Sequence, residues 1–155
     1  MAKILITYYS RTKITKKVAE YIKTKLKCDI EEIIDTKKRG GPIGYVASGK
    51  DAALKKLTKL KPIKSKLKNY DLIIVGGPVW SWNLSSPIRT YLRENKENFN
   101  KLAFFCTEGG SGEKTAFKEM EKESNKKPIA TLTVLTKEVA SNNFAKKVDK
   151  FIKKL

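Results

Sequence analysis

Residues 4–22 read ILITYYSRTKITKKVAEYI and contain, in order, a candidate strand, a loop and a helix. The run from Lys3 to Tyr8 is apolar and rich in β-branched residues, which predicts a strand buried on both faces and therefore a parallel sheet. Apolar residues then recur at helical spacing: Ile14, Val18, Ala19, Ile22 and Leu26. This stretch therefore predicts the first half of a βαβ unit.

The same alternation of strand and helix continues through the rest of the chain. Further buried strands are predicted at 30–34, 70–75, 102–106 and 129–135. Helices are predicted from Ser86-Pro87 onward, after Gly112, and at the end of the chain. The apolar face of this last helix comprises Phe144, Val148, Phe151, Ile152 and Leu155. The pattern predicts an α/β fold, a doubly wound five-stranded parallel sheet with helices on both faces.

The size and composition of the chain indicate one globular domain. It has 155 residues, and we expect residues 1–155 to form a single domain. Hydrophobic residues make up 40% of the chain, which is enough for a packed core. The sequence contains no internal repeat and no apolar run of membrane-spanning length, and its first apolar run, 4–6, is too short for a signal peptide. We therefore expect a soluble, cytoplasmic protein with no membrane span.

The charge of the chain favours an anionic ligand or partner. There are 34 Lys and Arg against 16 Asp and Glu, a net charge of +18. Only four of the basic residues are arginines and the lysines are spread along the chain, so a generally cationic surface is favoured over a dedicated nucleic-acid site. Because the chain has no histidine and only two cysteines, no metal site is expected.

The stretch between the second and third predicted strands, 36–69, is less regular and rich in lysine. Its glycines at 40, 41 and 44 predict a turn or loop, either a mobile flap over a ligand or an ordinary surface loop. Ser48 and Asp51 have capping-box spacing, which predicts a helix that begins there and buries Leu54, Leu57 and Leu60.

Ligands of open parallel sheets bind outside the carboxyl ends of the strands, and the first of three candidate loops lies after the first strand. Its residues are Ser10, Arg11, Thr12, Lys13, Ile14 and Thr15. Three hydroxyls and two cations crowd the start of a helix, where free N–H groups and the helix dipole stabilise an anion. The loop suits a phosphate monoester, although it is neither a P-loop nor GxGxxG. The alternative is that these hydroxyls only cap the helix.

The second and third loops follow the third and fourth predicted strands. The second, which begins at Gly77, continues with Pro78, Val79, Trp80, Ser81, Trp82 and Asn83. A tryptophan there offers a stacking surface, whereas Trp82 could instead fold back onto the sheet. The third comprises Thr107, Glu108, Gly109, Gly110, Ser111 and Gly112, and its glycines allow the backbone to approach a ligand unless it is only a mobile linker. Together the loops offer a phosphate-binding site, an aromatic side chain for stacking on a flat ring, and backbone hydrogen-bond donors. This combination fits flavin mononucleotide (FMN).

The chain resembles the flavodoxins and flavodoxin-like FMN proteins over nearly its whole length. The resemblance lies in residues 4–22, in YDLIIVGGPVWSWNLSSPIRTYL (70–92) and in FFCTEGGSG (104–112). It implies strand order 2-1-3-4-5 and reversible one- or two-electron chemistry of FMN. It also implies that Ser10, Thr12 and Thr15 occupy the hydroxyl positions of the phosphate loop, that Trp80 lies beside the isoalloxazine, and that the third loop contacts the pyrimidine end.

This chain departs from the family pattern in three respects. Lys13 stands where the pattern has Gly, and a positive φ there would cost about 1 kcal/mol. The third loop lacks the aromatic that many members stack on the second face of the ring, which leaves that face open or covered by Tyr45 or a partner. Electron-carrier flavodoxins are usually acidic, whereas this chain is basic. In the implied strand order Cys28 and Cys106 lie about 14 Å apart, so both are expected to be free thiols.

Three functions are compatible with these observations. The first is an FMN-binding electron carrier that docks an acidic redox protein, as a monomer or a homodimer, with no residue acting as a catalyst. The second is an FMN-dependent reductase that passes electrons from NAD(P)H to a quinone or a similar acceptor. The third is a flavin-free basic scaffold that binds nucleic acid or another polyanion. A response regulator is excluded because the first and third strands end in Tyr8-Tyr9-Ser10 and Gly76-Gly77-Pro78 instead of aspartates.

Overall fold

The computed structural model describes residues 2–155, which form a parallel sheet covered by helices on both faces. The strands are β1 (Ile4–Tyr8), β2 (Asp29–Glu32), β3 (Leu72–Trp80), β4 (Asn83–Leu84), β5 (Lys101–Glu108) and β6 (Thr131–Leu135). The helices are α1 (Ile14–Leu26), α2 (Gly41–Ala53), α3 (Ser86–Asn95), α4 (Glu113–Ser124), α5 (Thr136–Ala140) and α6 (Ala145–Lys153). Two short 3₁₀ turns lie at Leu67–Asn69 and Lys96–Asn98.

The α/β class is confirmed, but the prediction of five strands is wrong by one. The parallel sheet has the order β2-β1-β3-β5-β6, and β4 pairs antiparallel with the end of β3, outside that path. If β4 is left aside, the remaining order is the expected 2-1-3-4-5. The additional strand arises because β3 does not stop at Val75 but continues to Trp80 and turns back on itself.

Two glycines that were predicted to lie at the end of the third strand are inside this long strand. A Cβ at Gly76 would collide with the ring of Phe105, and one at Gly77 would collide with Ile88. These glycines are therefore positions where neighbouring side chains cross the strand. Because glycine has no side chain, the side chains of Phe105 and Ile88 can pack against the strand at these two positions.

The core lies in two layers, one on each face of the sheet. On one face α1, α5 and α6 cover the sheet, and their buried residues include Val18, Ile22, Val148 and Phe151. On the other face α2, α3 and α4 cover it. Residues that alternate along β3 supply both layers, since Ile73 and Val75 face one and Ile74 faces the other.

The predicted order of a loop followed by a helix is correct for this stretch, but the position of the helix is wrong. Helix α2 begins at Gly41, which has φ +72°, and carries Pro42 in its first turn, so Gly44 lies in the helix and Gly40 just precedes it. Ser48 and Asp51 lie inside the helix and bind Arg39, and they do not cap its start. The helix ends at Ala53, which leaves Leu54 and Leu57 about half exposed.

Smaller differences occur elsewhere. Strand β2 covers Asp29–Glu32, compared with the predicted 30–34, and α5 is a short helix that the sequence pattern did not indicate. Cys28 and Cys106 are both free thiols, as expected. Within residues 2–155 no helix is long and apolar enough to cross a membrane.

Candidate functional site

The three predicted loops come together at the carboxyl edge of the sheet because β1, β3 and β5 are adjacent. Residues 10–15 follow β1, residues 78–83 end β3 and form its turn, and residues 107–112 end β5 and lead into α4. The hydroxyls of Thr15 and Thr107 are 2.8 Å apart and buried, and they join the first of these segments to the third.

The first loop presents the amino end of α1. Ser10 Oγ accepts a hydrogen bond of 3.2 Å from the backbone N–H of Lys16. Within residues 2–155 the backbone N–H groups of Ile14 and Thr15 have no protein acceptor, and the side chains of Thr12 and Lys13 are exposed beside them. This end of α1 therefore offers free N–H donors and positive charge to an anion.

Lys13 adopts the backbone conformation that its family position implies. Its φ is +69° and ψ is 0°, in the left-handed region, immediately before α1 begins. A lysine in this region costs about 1 kcal/mol more than a glycine, because its Cβ crowds the neighbouring carbonyl.

We expect Lys13→Gly to raise the free energy of unfolding by up to about 1 kcal/mol, since it removes this strain. Urea denaturation followed by far-UV circular dichroism measures the change. The matched control is Lys27→Gly at the other end of α1, where φ is +52° and the same gain is expected. If Lys13→Gly lowers the free energy of unfolding and Lys27→Gly does not, the contacts of the Lys13 side chain stabilise the fold by more than its positive φ destabilises it.

The second segment is a β-hairpin and not the open loop that the sequence predicted. Val79 and Trp80 pair with Leu84 and Asn83, so Ser81 and Trp82 alone form the turn. Both have positive φ, +47° and +60°, as a type I′ turn requires, although neither is the Gly or Asn that usually occupies it. A side-chain bond of 2.6 Å from Asn83 Nδ2 to Ser81 O supports the turn.

The two tryptophans of the hairpin have the opposite environments to those expected. Trp80 is buried, its ring edge-on to that of Tyr9 at 5.6 Å with the guanidinium of Arg39 on its face at 5.1 Å. Trp82 is 68% exposed, and its Nε1 donates to Ser111 Oγ over 3.0 Å. Trp80 therefore folds back onto the sheet, whereas Trp82 presents its indole to solvent.

The third segment is shorter than predicted because Thr107 and Glu108 are the last residues of β5. Gly109, Gly110 and Ser111 are exposed, and Gly112 precedes α4 with φ +111°. A Cβ at Gly112 would lie 2.8 Å from both Trp82 Cα and Val79 Cγ1, so glycine is what allows this loop to contact the hairpin.

Glu108 is a buried carboxyl at this edge, with one oxygen lacking a hydrogen-bond partner within residues 2–155. Burial and, next, the hydrogen bond and charge of the nearby carboxyl of Glu113 together raise the pKa of Glu108 to about 7. The pKa of Glu113 is lowered correspondingly, by its own backbone N–H and by Glu108. Near neutral pH the two carboxyls therefore share one proton, which is bound mainly to Glu108.

Sequence reasoning missed a buried ionic cluster centred on Arg39. The guanidinium lies 2.6 Å from Asp35 Oδ2, 3.1 Å from Asp51 Oδ2 and 3.2 Å from Ser48 Oγ. Lys37 Nζ is 2.7 Å from the same oxygen of Asp51. Burial alone would raise the pKa of Asp51, but the bonds from Lys37 and Arg39 hold it below its usual range. No sequence motif marks these residues, which the fold alone brings together.

Arg39 also joins the cluster to the first loop. Arg11 Nη1 donates to Arg39 O over 3.3 Å, and the Arg11 guanidinium lies 5.3 Å from the centre of the exposed Tyr45 ring. Between α2, this loop and the hairpin lies a cavity of about 260 Å³. Its walls are Arg11, Tyr45, Val46, Ser48, Gly49, Lys50, Val79, Trp80 and Ser81.

Comparison with solved structures places the chain among flavoproteins. A flavoprotein from Lactobacillus acidophilus NCFM, solved in complex with FMN, is 26% identical over 98% of this chain and 99% of that one, with a TM-score of 0.78. The apo form of the flavoprotein from that organism, solved by NMR, is 28% identical over 87% of this chain and 92% of that one, with a TM-score of 0.65. Oxidised flavodoxin 1 from Bacillus cereus is 17% identical over 99% of both chains, with a TM-score of 0.51, and shows the fold alone.

Comparison with curated proteins found no match. The family model described as flavodoxin matches residues 3–151, nearly the whole of the chain. The strand order, the amino end of α1 at the carboxyl edge and this match agree, and the chain belongs to the flavodoxin family.

Proposed function

We propose that this protein binds FMN and acts as an electron carrier. The observation that carries the proposal is the joint placement of the amino end of α1, the β3–β4 hairpin and the glycine loop at one edge of the sheet. The Lactobacillus flavoprotein that matches almost the full length of both chains was solved with FMN, which supports the same cofactor here.

The phosphate would bind at the amino end of α1. The free N–H groups of Ile14 and Thr15 and the hydroxyl of Thr12 supply donors, and Arg11 and Lys13 supply positive charge. Ser10 keeps the loop in place through its bond to Lys16, and Thr15 does so through Thr107. These residues fit a phosphate monoester because they offer several donors around one helix terminus.

The flavin ring would lie against the hairpin and the glycine loop. Trp82 offers the exposed indole, held by Ser111, whereas Trp80 is covered by Tyr9 and Arg39. We therefore assign stacking to Trp82, and we assign the backbone donors to Gly109 and Gly110. Bound FMN supplies reversible electron transfer, and the chain holds it and sets its surroundings.

We expect purified protein to retain FMN after desalting, with the visible absorbance of oxidised flavin, and to quench FMN fluorescence in titration. Thr12→Ala should weaken FMN binding about 10-fold, because it removes a hydrogen bond to a charged group. The matched control is Thr24→Ala near the other end of α1, where the hydroxyl donates only to Glu20 O. A protein that neither retains FMN nor quenches its fluorescence at micromolar concentration contradicts the proposal, and salt-dependent binding of nucleic acid would then favour the polyanion scaffold.

The positive charge of the chain is expected to raise the potential of the bound flavin. Fully reduced FMN carries a negative charge on its ring, and a protein of net charge +18 stabilises that charge. Potentiometric titration should place the couple that forms the fully reduced flavin above that of an acidic flavodoxin, and the difference should shrink as salt increases. A potential at or below that of the acidic flavodoxin contradicts this expectation.

The partner that fits this charge is an acidic redox protein. Association should slow as salt increases, because screening weakens the attraction between the two surfaces. Steady-state oxidation of NADH or NADPH by the FMN-loaded protein distinguishes a reductase from a carrier: a carrier shows no sustained turnover without a separate reductase.

A further inference from the structure

The outer face of α2 carries apolar side chains that are exposed to solvent. Gly44, Ser48 and Ala52 lie on the inner face of the helix and are buried. Ile43 is 87% exposed and Val46 is 68% exposed, and both lie on the side of the helix turned away from the sheet. Because a helix that is apolar on all sides is normally covered on all sides, this outer face is expected to meet a surface outside the fold.

The exposed side chains form a stripe along the helix. Ile43 and Val46 are three residues apart, and Lys50 and Leu54 follow at intervals of four, so all four lie on one side of the helix, here called its outer stripe. The backbone N–H of Leu54 donates to Lys50 O, which extends the helical turn to Leu54. Leu57, three residues further on, is about half exposed, as Leu54 is. A row of exposed apolar residues marks an interaction surface, whereas isolated ones do not.

The charge in and around the outer stripe is positive. Residues 36–61 contain seven lysines, and their one carboxylate, Asp51, is buried and already paired. Lys50 lies within the stripe, and Lys38 and Lys56 lie in the segments directly before and after α2. In the part of the chain that the structure describes, these three lysines form no ion pair. The face therefore attracts a surface of negative charge.

A second copy of this chain does not suit the outer stripe. A symmetric dimer formed through this face would bring the same lysines of both copies together, and each copy has a net charge of +18. Like charges that face each other across an interface oppose association. The two occupants that the charge allows are an acidic protein and an anionic lipid surface.

The composition of the face favours lipid over protein. Protein interfaces are enriched in aromatic residues and arginine and depleted in lysine, and their energetic centres are seldom leucine or valine. The outer stripe and its flanks have the reverse composition, since they consist of aliphatic side chains and lysines. Tyr45, the exposed aromatic residue of α2, lies outside the stripe, beside Arg11. Aliphatic residues accompanied by lysines are typical of helices that lie on a membrane surface, where anionic head groups attract each lysine.

We propose that the outer stripe of α2 docks this protein on an anionic lipid bilayer. Ile43, Val46 and Leu54 enter the boundary between head groups and acyl chains, while Lys50 and the flanking lysines contact anionic head groups. Because few side chains enter the bilayer, the association is peripheral and reversible, and it weakens as salt increases. This inference goes beyond the proposed function and does not rest on FMN binding.

The test is cosedimentation of the purified protein with lipid vesicles. Vesicles of phosphatidylcholine with about one-third phosphatidylglycerol should bind the protein at least about tenfold more tightly than vesicles of phosphatidylcholine alone. Absence of binding to the anionic vesicles overturns the proposal. Because the net charge of +18 attracts any anionic surface, this binding must also depend on the residues of the outer stripe.

Paired variants locate the docking face. Ile43→Ser should weaken binding to the anionic vesicles at least about fivefold, because it removes the most exposed aliphatic side chain of the stripe. Lys50→Gln should weaken it about fivefold, since it removes one attraction to the head groups. The matched controls are Ile129→Ser, beside the edge strand β6, and Lys150→Gln on α6, on the other face of the sheet. Both should leave binding within about twofold of wild type, because these side chains lie away from the stripe.

Two results would overturn the docking face even if the anionic vesicles bind the protein. Equal binding of Ile43→Ser and Ile129→Ser would mean that net charge alone holds the protein on the vesicles. If Ile43→Ser keeps its affinity for the vesicles but loses affinity for an acidic plant-type ferredoxin, the face docks an acidic protein instead.

The flavin provides an independent readout. Ile43→Ser should retain FMN as wild type does, because Ile43 lies outside the FMN site proposed above, and its far-UV circular dichroism should be unchanged because the side chain is exposed. Weaker vesicle binding by this variant then reports the lost side chain and not a lost cofactor or fold. If the protein binds no FMN but binds anionic vesicles with the expected variant pattern, the docking face stands and the electron-carrier function fails.

Discussion

Arg39→Met is expected to lower the free energy of unfolding by about 3–5 kcal/mol, the cost of removing one partner from a buried ionic cluster. The side chains of Arg39 and Asp35 are each 2% exposed, and that of Asp51 is 12% exposed. The guanidinium compensates both carboxylates, and without it Asp35 keeps only the hydroxyl of Thr58 and the backbone N–H of Lys37 as donors. Methionine fills similar space but has neither a positive charge nor a hydrogen-bond donor. The carboxylates of Asp35 and Asp51 would then stay buried without the guanidinium that compensates them.

The substitution should also impair FMN binding. Arg39 O accepts from Arg11 and its guanidinium lies on Trp80, so the first loop and the hairpin both depend on its position. Urea denaturation measures the loss of stability, and FMN fluorescence measures the loss of affinity at a temperature where the variant is folded.

Lys25→Met is the matched control for Arg39→Met. Lys25 pairs with Asp149 at 3.9 Å, but both side chains are about half exposed, so its loss should cost less than about 0.5 kcal/mol. Arg39→Lys keeps the charge without the planar fork and should fall between wild type and Arg39→Met. If Arg39→Met costs no more than Lys25→Met, the cluster does not stabilise the fold as its burial indicates.

Elements whose pattern is local were predictable from the sequence, and the first loop is the best example. The apolar run of β1 and the helical spacing of α1 fix both elements, and the positive φ of Lys13 follows from the family position it occupies. The hydroxyls at residues 10, 12 and 15 were located correctly at the amino end of the helix, although the bond from Thr15 to Thr107 joins residues 92 positions apart and has no local signal.

Elements whose residues serve long-range packing were not predictable. The third strand was predicted to end at Gly76 and Gly77, yet these glycines make room for Phe105 and Ile88 in the core, and the strand continues to Trp80 and pairs with β4. Gly41 and Gly44 likewise signal a loop, yet Gly44 packs against the backbone of Arg39 inside a helix. A glycine can allow the chain to bend, or it can allow a neighbouring group to pack closely against the backbone. Only the residues around it in the fold determine which of these two roles it has.

The cavity beside Trp80 was also not predictable from local sequence patterns. Its walls come from the first loop, from α2 and from the hairpin, three segments that no short motif connects. The error in placing α2 hid it, since a helix that starts at Ser48 would not carry Tyr45 and Val46 on its first turns.

Glu108→Gln is expected to stabilise the protein by about 3 kcal/mol at pH 8 and to change its stability little at pH 4. The native carboxyl has a pKa of about 7, raised by burial and then by Glu113, against an ordinary value near 4.5. Because the folded state holds this proton more tightly than the unfolded state, the stability it contributes is complete below pH 4.5 and is lost as pH rises through 7. The difference of roughly 2.5 pKa units corresponds to about 3 kcal/mol.

Glutamine removes this penalty because its amide stays neutral and can still donate to Glu113, as the protonated carboxyl does. Other groups that face Glu108 are Lys147 from α6, which lowers its pKa, and the Thr136 hydroxyl, which donates to its backbone oxygen. Urea denaturation of wild type and variant at pH 4, 6 and 8 should show curves that separate steadily above pH 5. Glu94→Gln, at an exposed position on α3, should shift stability by less than about 0.5 kcal/mol at every pH. Parallel curves for Glu108→Gln and wild type would mean that Glu108 is ionised in the folded state throughout this range, with a partner for its second oxygen.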